Sequence, residues 1–274
     1  MRVLRHACVT VAATVLAAGL AACGSDGTTG TKAAGDAVAG AAAGLDPRAA
    51  LAASAVVMQR AGNGSLALTA EAGPMAGTAE WQQRTVVDVA AKTESGTRAR
   101  IIGDEVYLGG GLQTTAVLGG KHWARIEPKD PIVGSMSVMF LTVAQLTNPV
   151  LQLSAAAQGG KLTKVGAEAV GGVQTTHYRA VEEVAKLADS LSALGGDQRA
   201  AVRQTLDTGG STLTVDFWIN DKQELVQLRE YGDKGGESSA VTVTYSGLGA
   251  APKIEAPAAG DVGKGADFAK VFRS

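Results

Sequence analysis

Cysteine is scarce in this chain of 274 residues, and aromatic side chains make up only 4% of it. Cys8 and Cys23 both lie near the amino terminus. The chain beyond them therefore has no disulfide, no thiol nucleophile and no cysteine ligand for a metal. We expect its folded part to be held together by an apolar core, for which the remaining length is sufficient in one domain.

Blocks of charge of one sign are also lacking. Lysine and arginine together number 25, aspartate and glutamate number 26, and the formal net charge is −1. Binding to the phosphates of a nucleic acid needs a basic surface. The sequence therefore predicts no nucleic-acid partner.

The motifs of several enzyme classes are missing. The chain contains no G-x-S-x-G elbow, no phosphate-binding loop and no dinucleotide-binding glycine pattern. Its histidines lack the spacing of a metal site. The prediction is that the protein is not an enzyme and needs neither metal nor cofactor. The alternative is a hydrolase whose triad is assembled in space around His177.

The amino terminus has the three parts of an export signal. Arg2 and Arg5 precede an apolar run at 7–20, which is shorter than the roughly 20 residues that span a membrane. The sequence LAAC at 20–23 resembles the bacterial lipobox, in which the cysteine receives a diacylglyceryl group. We predict a signal peptide at 1–22 and lipid attachment at Cys23. The alternative is an ordinary secretory signal that happens to contain a cysteine.

A tether is predicted between the lipid and the folded domain. Residues 23–45 are mostly alanine, glycine and threonine, without large side chains to pack. Two acyl chains are enough for stable anchoring. The lipobox resemblance thus implies a protein held on the extracytoplasmic face of the plasma membrane.

The rest of the chain combines strands with a few helices. Asp46 and Pro47 are typical of a helix start, whereas 211–220 alternates apolar and polar residues as a strand does. About eleven such strands, counted with the strand criteria, predict an α+β domain with one antiparallel sheet. Its apolar face would be covered by the helices.

One stretch, 136–153, is apolar on nearly every side. A helix of that kind is expected to be buried on every face. Ordinary core packing and the lining of a cavity are both compatible with it, since methionine adapts to irregular gaps.

Several segments, in their order and spacing, resemble one family. They are Arg98–Leu108, Lys121–Ile126, Gly171–Tyr178, Phe217–Asn220 with Leu228 and Arg229, and Val243–Pro257. Together with the lipobox and the leading helix, they resemble the LppX/LprA/LprF/LprG group of actinobacterial lipoproteins. The resemblance implies a LolA/LolB-like half-barrel, a curved sheet wrapped on helices, at 46–262, with a tail at 263–274.

The resemblance also implies a ligand, because relatives hold acyl chains of envelope lipids in an apolar cavity. The residues expected to line it here are Met136, Met139, Phe140, Leu141, Val143, Leu146 and Leu151. The protein would be a monomer that binds or carries a lipid or other amphiphile. The alternative is an envelope sensor or scaffold with a filled core.

The remaining polar and aromatic candidates have structural interpretations. His177 lies within a strand and His122 at a strand start, so both are expected to support local structure. Trp81, Trp123 and Trp218 are expected to pack in the core or at a sheet edge. The pair at 182–183 is expected to be a solvated helix start, favourable near the positive end of a helix dipole.

Replacing Cys23 by serine tests the anchor. Without the thiol that receives the lipid, we expect the protein to be released in soluble form or to stay uncleaved. Cell fractionation with detection of signal cleavage measures this outcome. A Cys23→Ser protein that is cleaved yet stays in the membrane fraction would contradict the assignment.

Overall fold

The computed structural model describes residues 45–92, 96–130, 132–191 and 195–272. The predicted signal peptide, Cys23 and the predicted tether up to residue 44 lie outside the described residues.

Twelve strands and seven α-helices make up the described part of the chain. The strands are β1 (Asn63–Ala70), β2 (Gly73–Glu80), β3 (Val86–Ala91), β4 (Arg98–Ile102), β5 (Glu105–Gly109), β6 (Trp123–Ile126), β7 (Lys161–Val170), β8 (Val173–Glu183), β9 (Thr212–Asn220), β10 (Leu225–Gly232), β11 (Val241–Ser246) and β12 (Val262–Lys264). The helices are α1 (Pro47–Ala61), α2 (Leu112–Val117), α3 (Gly134–Leu146), α4 (Pro149–Gly159), α5 (Val184–Ser190), α6 (Gly196–Gly209) and α7 (Gly265–Phe268).

All twelve strands form one sheet in the order β12-β6-β5-β4-β3-β2-β1-β11-β10-β9-β8-β7. Two antiparallel meanders, β1–β6 and β7–β11, join where β1 pairs with β11. The predicted α+β class is confirmed. Eleven strands are antiparallel, and the twelfth, β12, pairs parallel with β6 over three residues.

Alternating side chains divide the two faces of the sheet. Along β9, Leu213, Val215, Phe217 and Ile219 belong to the main core cluster, which the helices share. Asp216 and Trp218 lie on the opposite face, because successive side chains of a strand point to opposite sides. The predicted period of two at 211–220 therefore separates a helix-covered face from an outer face.

The edge strand β7 carries an irregularity. Its register with β8 shifts between Lys164 and Gly166, and Gly166 has a φ of 153°. An extra residue at this point bends the strand locally and increases its twist.

The first helix begins where the sequence predicts. The side chain of Asp46 accepts a hydrogen bond from the Ala49 amide at 3.1 Å, and Pro47 occupies the first turn. Gly62 ends the helix in the left-handed region with a φ of 73°. Leu51 and Met58 are fully buried, and the helix packs against α4.

Helices α3 and α4 form an elbow that is fastened to the sheet. Asn148 caps α4, accepting hydrogen bonds from the Val150 and Leu151 amides, and its side-chain amide donates to the Thr85 hydroxyl at 2.8 Å. The Tyr245 hydroxyl of β11 donates to the Thr147 carbonyl at 2.8 Å. The bonds to Thr85 and from Tyr245 are buried, and they hold the elbow against both meanders.

Among the described residues, no one helix has the length and composition to span a bilayer. Helices α3 and α4 meet those criteria only when taken together, and they are bent by 71° at the break between them.

Part of the segment predicted to be a tail joins the core. After β12, α7 places Phe268 at 2% exposure, and Ala269 is buried beside it in the main core cluster. Packing therefore continues past residue 262, where the sequence placed the end of the domain. A three-residue strand followed by a single phenylalanine has too short a pattern to reveal this from sequence.

Truncating Phe268 to alanine measures what this segment contributes. Loss of a buried phenylalanine typically costs about 3–5 kcal/mol, so we expect a marked fall in the free energy of unfolding by urea. Lys270→Ala is the matched control, because Lys270 is exposed and pairs with Asp267 at the surface. Equal stability of the two variants would mean that the segment is not part of the core.

Candidate functional site

Helix α3 turns its small and polar residues inward. The buried positions are Gly134, Ser137, Leu141, Thr142, Ala144 and Gln145. The expectation that 136–153 is buried on every face is therefore wrong for this helix. Small side chains let α3 approach β4, β5 and β6 closely, which leaves several of its larger apolar residues facing outward.

Five of the seven predicted cavity residues share one side of α3, here called the α3 apolar face: Met136, Met139, Phe140, Val143 and Leu146. They lie three or four positions apart, the spacing of a single helix face. All five are partly exposed, Met139 to 46%. Met136, Phe140 and Val143 also touch the core from its edge.

The other two predicted residues, Leu141 and Leu151, line a cleft of about 510 Å³ beside the elbow. This elbow cleft is lined by Gln59, Trp81, Gln83, Arg84, Thr85, Gly103, Asp104, Leu141, Gln145, Asn148, Val150 and Leu151. Four of these side chains are apolar, namely Trp81, Leu141, Val150 and Leu151, and seven are polar or charged.

Trp81 is fixed in the wall of the elbow cleft. Its indole nitrogen donates to the Met58 carbonyl at 2.6 Å, and its ring meets Tyr245 edge-on with centroids 6.2 Å apart. The Tyr245 hydroxyl also donates to the Thr147 carbonyl in the elbow. Tyr245 therefore contacts both Trp81 and the elbow and positions them relative to each other.

Two buried carboxyl groups lie on the helix-covered face of the sheet. Burial raises the pKa of Glu182 to about 7, and burial together with the nearby Glu182 raises the pKa of Glu230 to about 8. Within the described part of the chain, Glu182 Oε1 and Glu230 Oε2 have no hydrogen-bond partner. Their strands, β8 and β10, flank β9, so their backbones are about 10 Å apart.

The expectation that residues 182–183 are both solvated is wrong for Glu182, which is only 5% exposed. Glu183 is exposed and pairs with Lys186 at 2.7 Å. Glu182 continues the inward alternation of Tyr178 and Ala180 along β8, and this alternation was the signal in the sequence.

His177 lies on the outer face within a network of fixed charges. Its Nε2 is 2.9 Å from Asp216 Oδ1, and its Nδ1 is 3.4 Å from Glu168. Burial raises the pKa of Asp216, but hydrogen bonds from Arg179 and His177 outweigh it and hold the pKa below its usual value. The two ring nitrogens of His177 thus face carboxylates and not a serine hydroxyl. This arrangement agrees with a structural role for His177.

The other candidates also hold local structure. His122 bonds Asp261 at 2.8 Å through Nδ1. Trp123 lies under the guanidinium groups of Arg98 and Arg100, and Trp218 stacks on His177 with ring centroids 4.4 Å apart. Across the described ranges, no three His, Cys, Asp or Glu side chains gather as metal ligands would.

No protein-family model matches the chain. Over 183 residues it is 33% identical to an uncharacterized 31.2 kDa protein from the rplA-rplJ intergenic region of Streptomyces griseus. The match covers 66% of this chain and 59% of that protein, so it spans less than two thirds of the relative's length.

Two solved structures are similar in fold. LprF from Mycobacterium bovis matches at 15% identity over 77% of this chain and 97% of its own, with a TM-score of 0.46. The lipoprotein LppX from Mycobacterium tuberculosis matches at 16% identity over 77% and 100%, with a TM-score of 0.45.

Replacing Glu230 by glutamine tests the buried carboxyl. The folded protein keeps Glu230 protonated up to about pH 8, whereas the ordinary pKa is 4.5. Each pH unit between these values costs about 1.4 kcal/mol. The contribution of Glu230 to stability is therefore full below pH 4.5 and is lost as the pH rises towards 8. We expect Glu230→Gln to raise the free energy of unfolding at pH 7 by about 2–3 kcal/mol.

Urea unfolding between pH 5 and pH 8.5 measures this effect. The variant's stability should depend less steeply on pH than that of the unchanged protein. Glu183→Gln, at an exposed position, should leave the pH dependence unaltered. Parallel curves for Glu230→Gln and the unchanged protein would rule out the buried, protonated state.

Proposed function

We propose that the chain is a membrane-anchored envelope lipoprotein of the LppX/LprG-like group that binds a lipid or other amphiphile at the elbow cleft. The observation that carries the proposal is the elbow cleft of about 510 Å³, whose apolar wall is formed by Trp81, Leu141, Val150 and Leu151. Acyl chains held against this wall would remove apolar surface from water, both their own and that of the cleft.

The energetic argument follows from the area of those side chains. Burying apolar surface contributes roughly 25 cal/mol per Å², and contiguous apolar patches on a monomer commonly mark binding sites. Val150 and Leu151, which are partly exposed in the elbow cleft, therefore gain by being covered. Arg84 and Asp104 at the elbow cleft supply polar groups for a head group.

The place of action is part of the same proposal. The lipobox at 20–23 supports attachment through Cys23, and a diacylglyceryl group holds a protein stably at a bilayer. The protein would then work as a monomer on the extracytoplasmic face of the plasma membrane, without catalytic activity. Acyl chains that cross the aqueous envelope need an apolar enclosure.

A second candidate is an envelope sensor or scaffold with a filled core. It is favoured by the dense packing of the sheet's covered face, where Phe217, Leu228 and Val243 are almost completely buried. In that case the α3 apolar face would contact a protein partner instead of acyl chains.

The two candidates are separated by the fluorescence of Trp81. In a Cys23→Ser protein that also carries Trp123→Phe and Trp218→Phe, Trp81 is the only tryptophan. A phospholipid with brominated acyl chains should quench it saturably, because Trp81 lines the elbow cleft. Leu151→Gln, which makes the cleft more polar, should weaken the binding several-fold.

The matched control keeps Trp218 and replaces Trp81 and Trp123 by phenylalanine. Trp218 is on the outer face, so its emission should not respond to the bound lipid. Quenching of both proteins to the same extent, or of neither, would reject the carrier and favour the scaffold. Mass spectrometry of organic extracts from protein purified from its native host provides the independent measurement.

A further inference from the structure

A second, smaller cleft lies at the opposite end of α4 from the elbow. It has a volume of about 220 Å³ and is lined by Ala155, Gln158, Gly159, Glu182, Glu183, Lys186, Leu187 and Ser190. We call it the α4–α5 cleft, because its walls are the last turn of α4, the end of β8 and the helix α5. Glu182 lines it while being only 5% exposed, and no described residue forms a hydrogen bond with its Oε1 atom.

The other charged groups around this cleft are already engaged or of the same sign as Glu182. Lys186 donates to Glu183 at 2.7 Å. Arg48 donates to the carbonyl groups of Ala157 and Gln158 at the end of α4. From β10, Glu230 adds a second buried carboxyl on the same face of the sheet.

The character of the cleft selects for a cation. An ionised carboxylate only accepts hydrogen bonds, and the carboxyl-terminal end of a helix favours positive charge. A buried polar atom without a partner costs about 1–3 kcal/mol, which a donor placed at Glu182 Oε1 would recover.

The size of the α4–α5 cleft and its few oxygen ligands indicate which kind of cation it can bind. A calcium ion takes six to eight oxygen ligands, and magnesium requires a near-ideal octahedron, whereas Glu182 is the one unpaired carboxylate that lines this cleft. A primary ammonium group is a compact charge with three donors. The cleft is less than half the volume of the elbow cleft, which suits a head group rather than acyl chains.

We infer that the α4–α5 cleft is a binding site for a primary ammonium group, with Glu182 as its counter-ion. This inference goes beyond the proposed function, because the site is separate from the elbow cleft and does not need acyl chains to be bound there. Glu183 and Lys186, already paired, form its rim.

Binding of an ammonium group at Glu182 is expected to depend on pH. Burial raises the pKa of Glu182 to about 7, so the carboxyl must lose its proton before it can pair with an ammonium group. Apparent affinity should therefore fall about tenfold per pH unit below pH 7 and level off above it. Near and below pH 7, binding should release a proton.

Titration calorimetry with ethanolamine hydrochloride tests the site in the Cys23→Ser protein. Measurements at pH 6, 7 and 8, in two buffers of different ionisation enthalpy, give both the affinity and the proton release. Glu182→Gln should lose at least tenfold in affinity, whereas Glu183→Gln should retain binding. Equal binding by Glu182→Gln and the unchanged protein, or no binding by either, would overturn the inference.

Two further comparisons test recognition of the donor and filling of the cleft. Tetramethylammonium, which has the charge but no N–H group, should bind at least tenfold more weakly, and equal binding would count against the ammonium assignment. Ala155→Met fills the cleft while leaving Glu182 in place, so it should also abolish binding. Unfolding curves of each variant establish that it is folded.

The source of the ammonium group is distinguished with monomeric short-chain lipids. If the group belongs to a lipid, dihexanoyl phosphatidylethanolamine should bind more tightly than its phosphatidylcholine counterpart, and Glu182→Gln should remove that difference. Ethanolamine binding that is unaffected by Leu151→Gln would support this site even if the elbow cleft binds no lipid.

Discussion

The pairing of β1 with β11 is the contact on which the rest of the molecule depends. These strands are far apart in the chain, and their register places Leu66 opposite Tyr245. Without that register, Tyr245 would not reach the Thr147 carbonyl or the edge of Trp81. The elbow of the helices, and with it the elbow cleft, is thus positioned by a hydrogen-bonded ladder that joins the two meanders.

Helix α3 illustrates how packing distance can outweigh hydrophobicity. Its mean composition is strongly apolar, yet Ser137 and Thr142 are buried while Met139 is outside. A helix that crosses several strands closely needs small side chains at the contact. The Thr142 hydroxyl is satisfied within the helix by the Val138 carbonyl at 2.9 Å, which makes its burial tolerable.

Local patterns were sufficient for much of the fold and insufficient for the candidate sites. The cap at Asp46 and the alternation through Phe217 depend on neighbours in sequence, so they could be predicted. The outward face of α3 could not, because a helix apolar on all sides carries no period that favours one orientation. The prediction that Glu182 and Glu183 are both solvated fails because adjacent residues of a strand face opposite sides of the sheet. Phe268 joins the core only through long-range contacts.

The bulged edge strand β7 has a consequence for how the protein behaves among its own copies. An open sheet can add a foreign strand wherever an edge presents a straight row of free amide and carbonyl groups. Here one edge is bent at Gly166 and bears Lys161 and Lys164, and the opposite edge, β12, is only three residues long. Such ends resist the growth of intermolecular sheets even when many copies are crowded together.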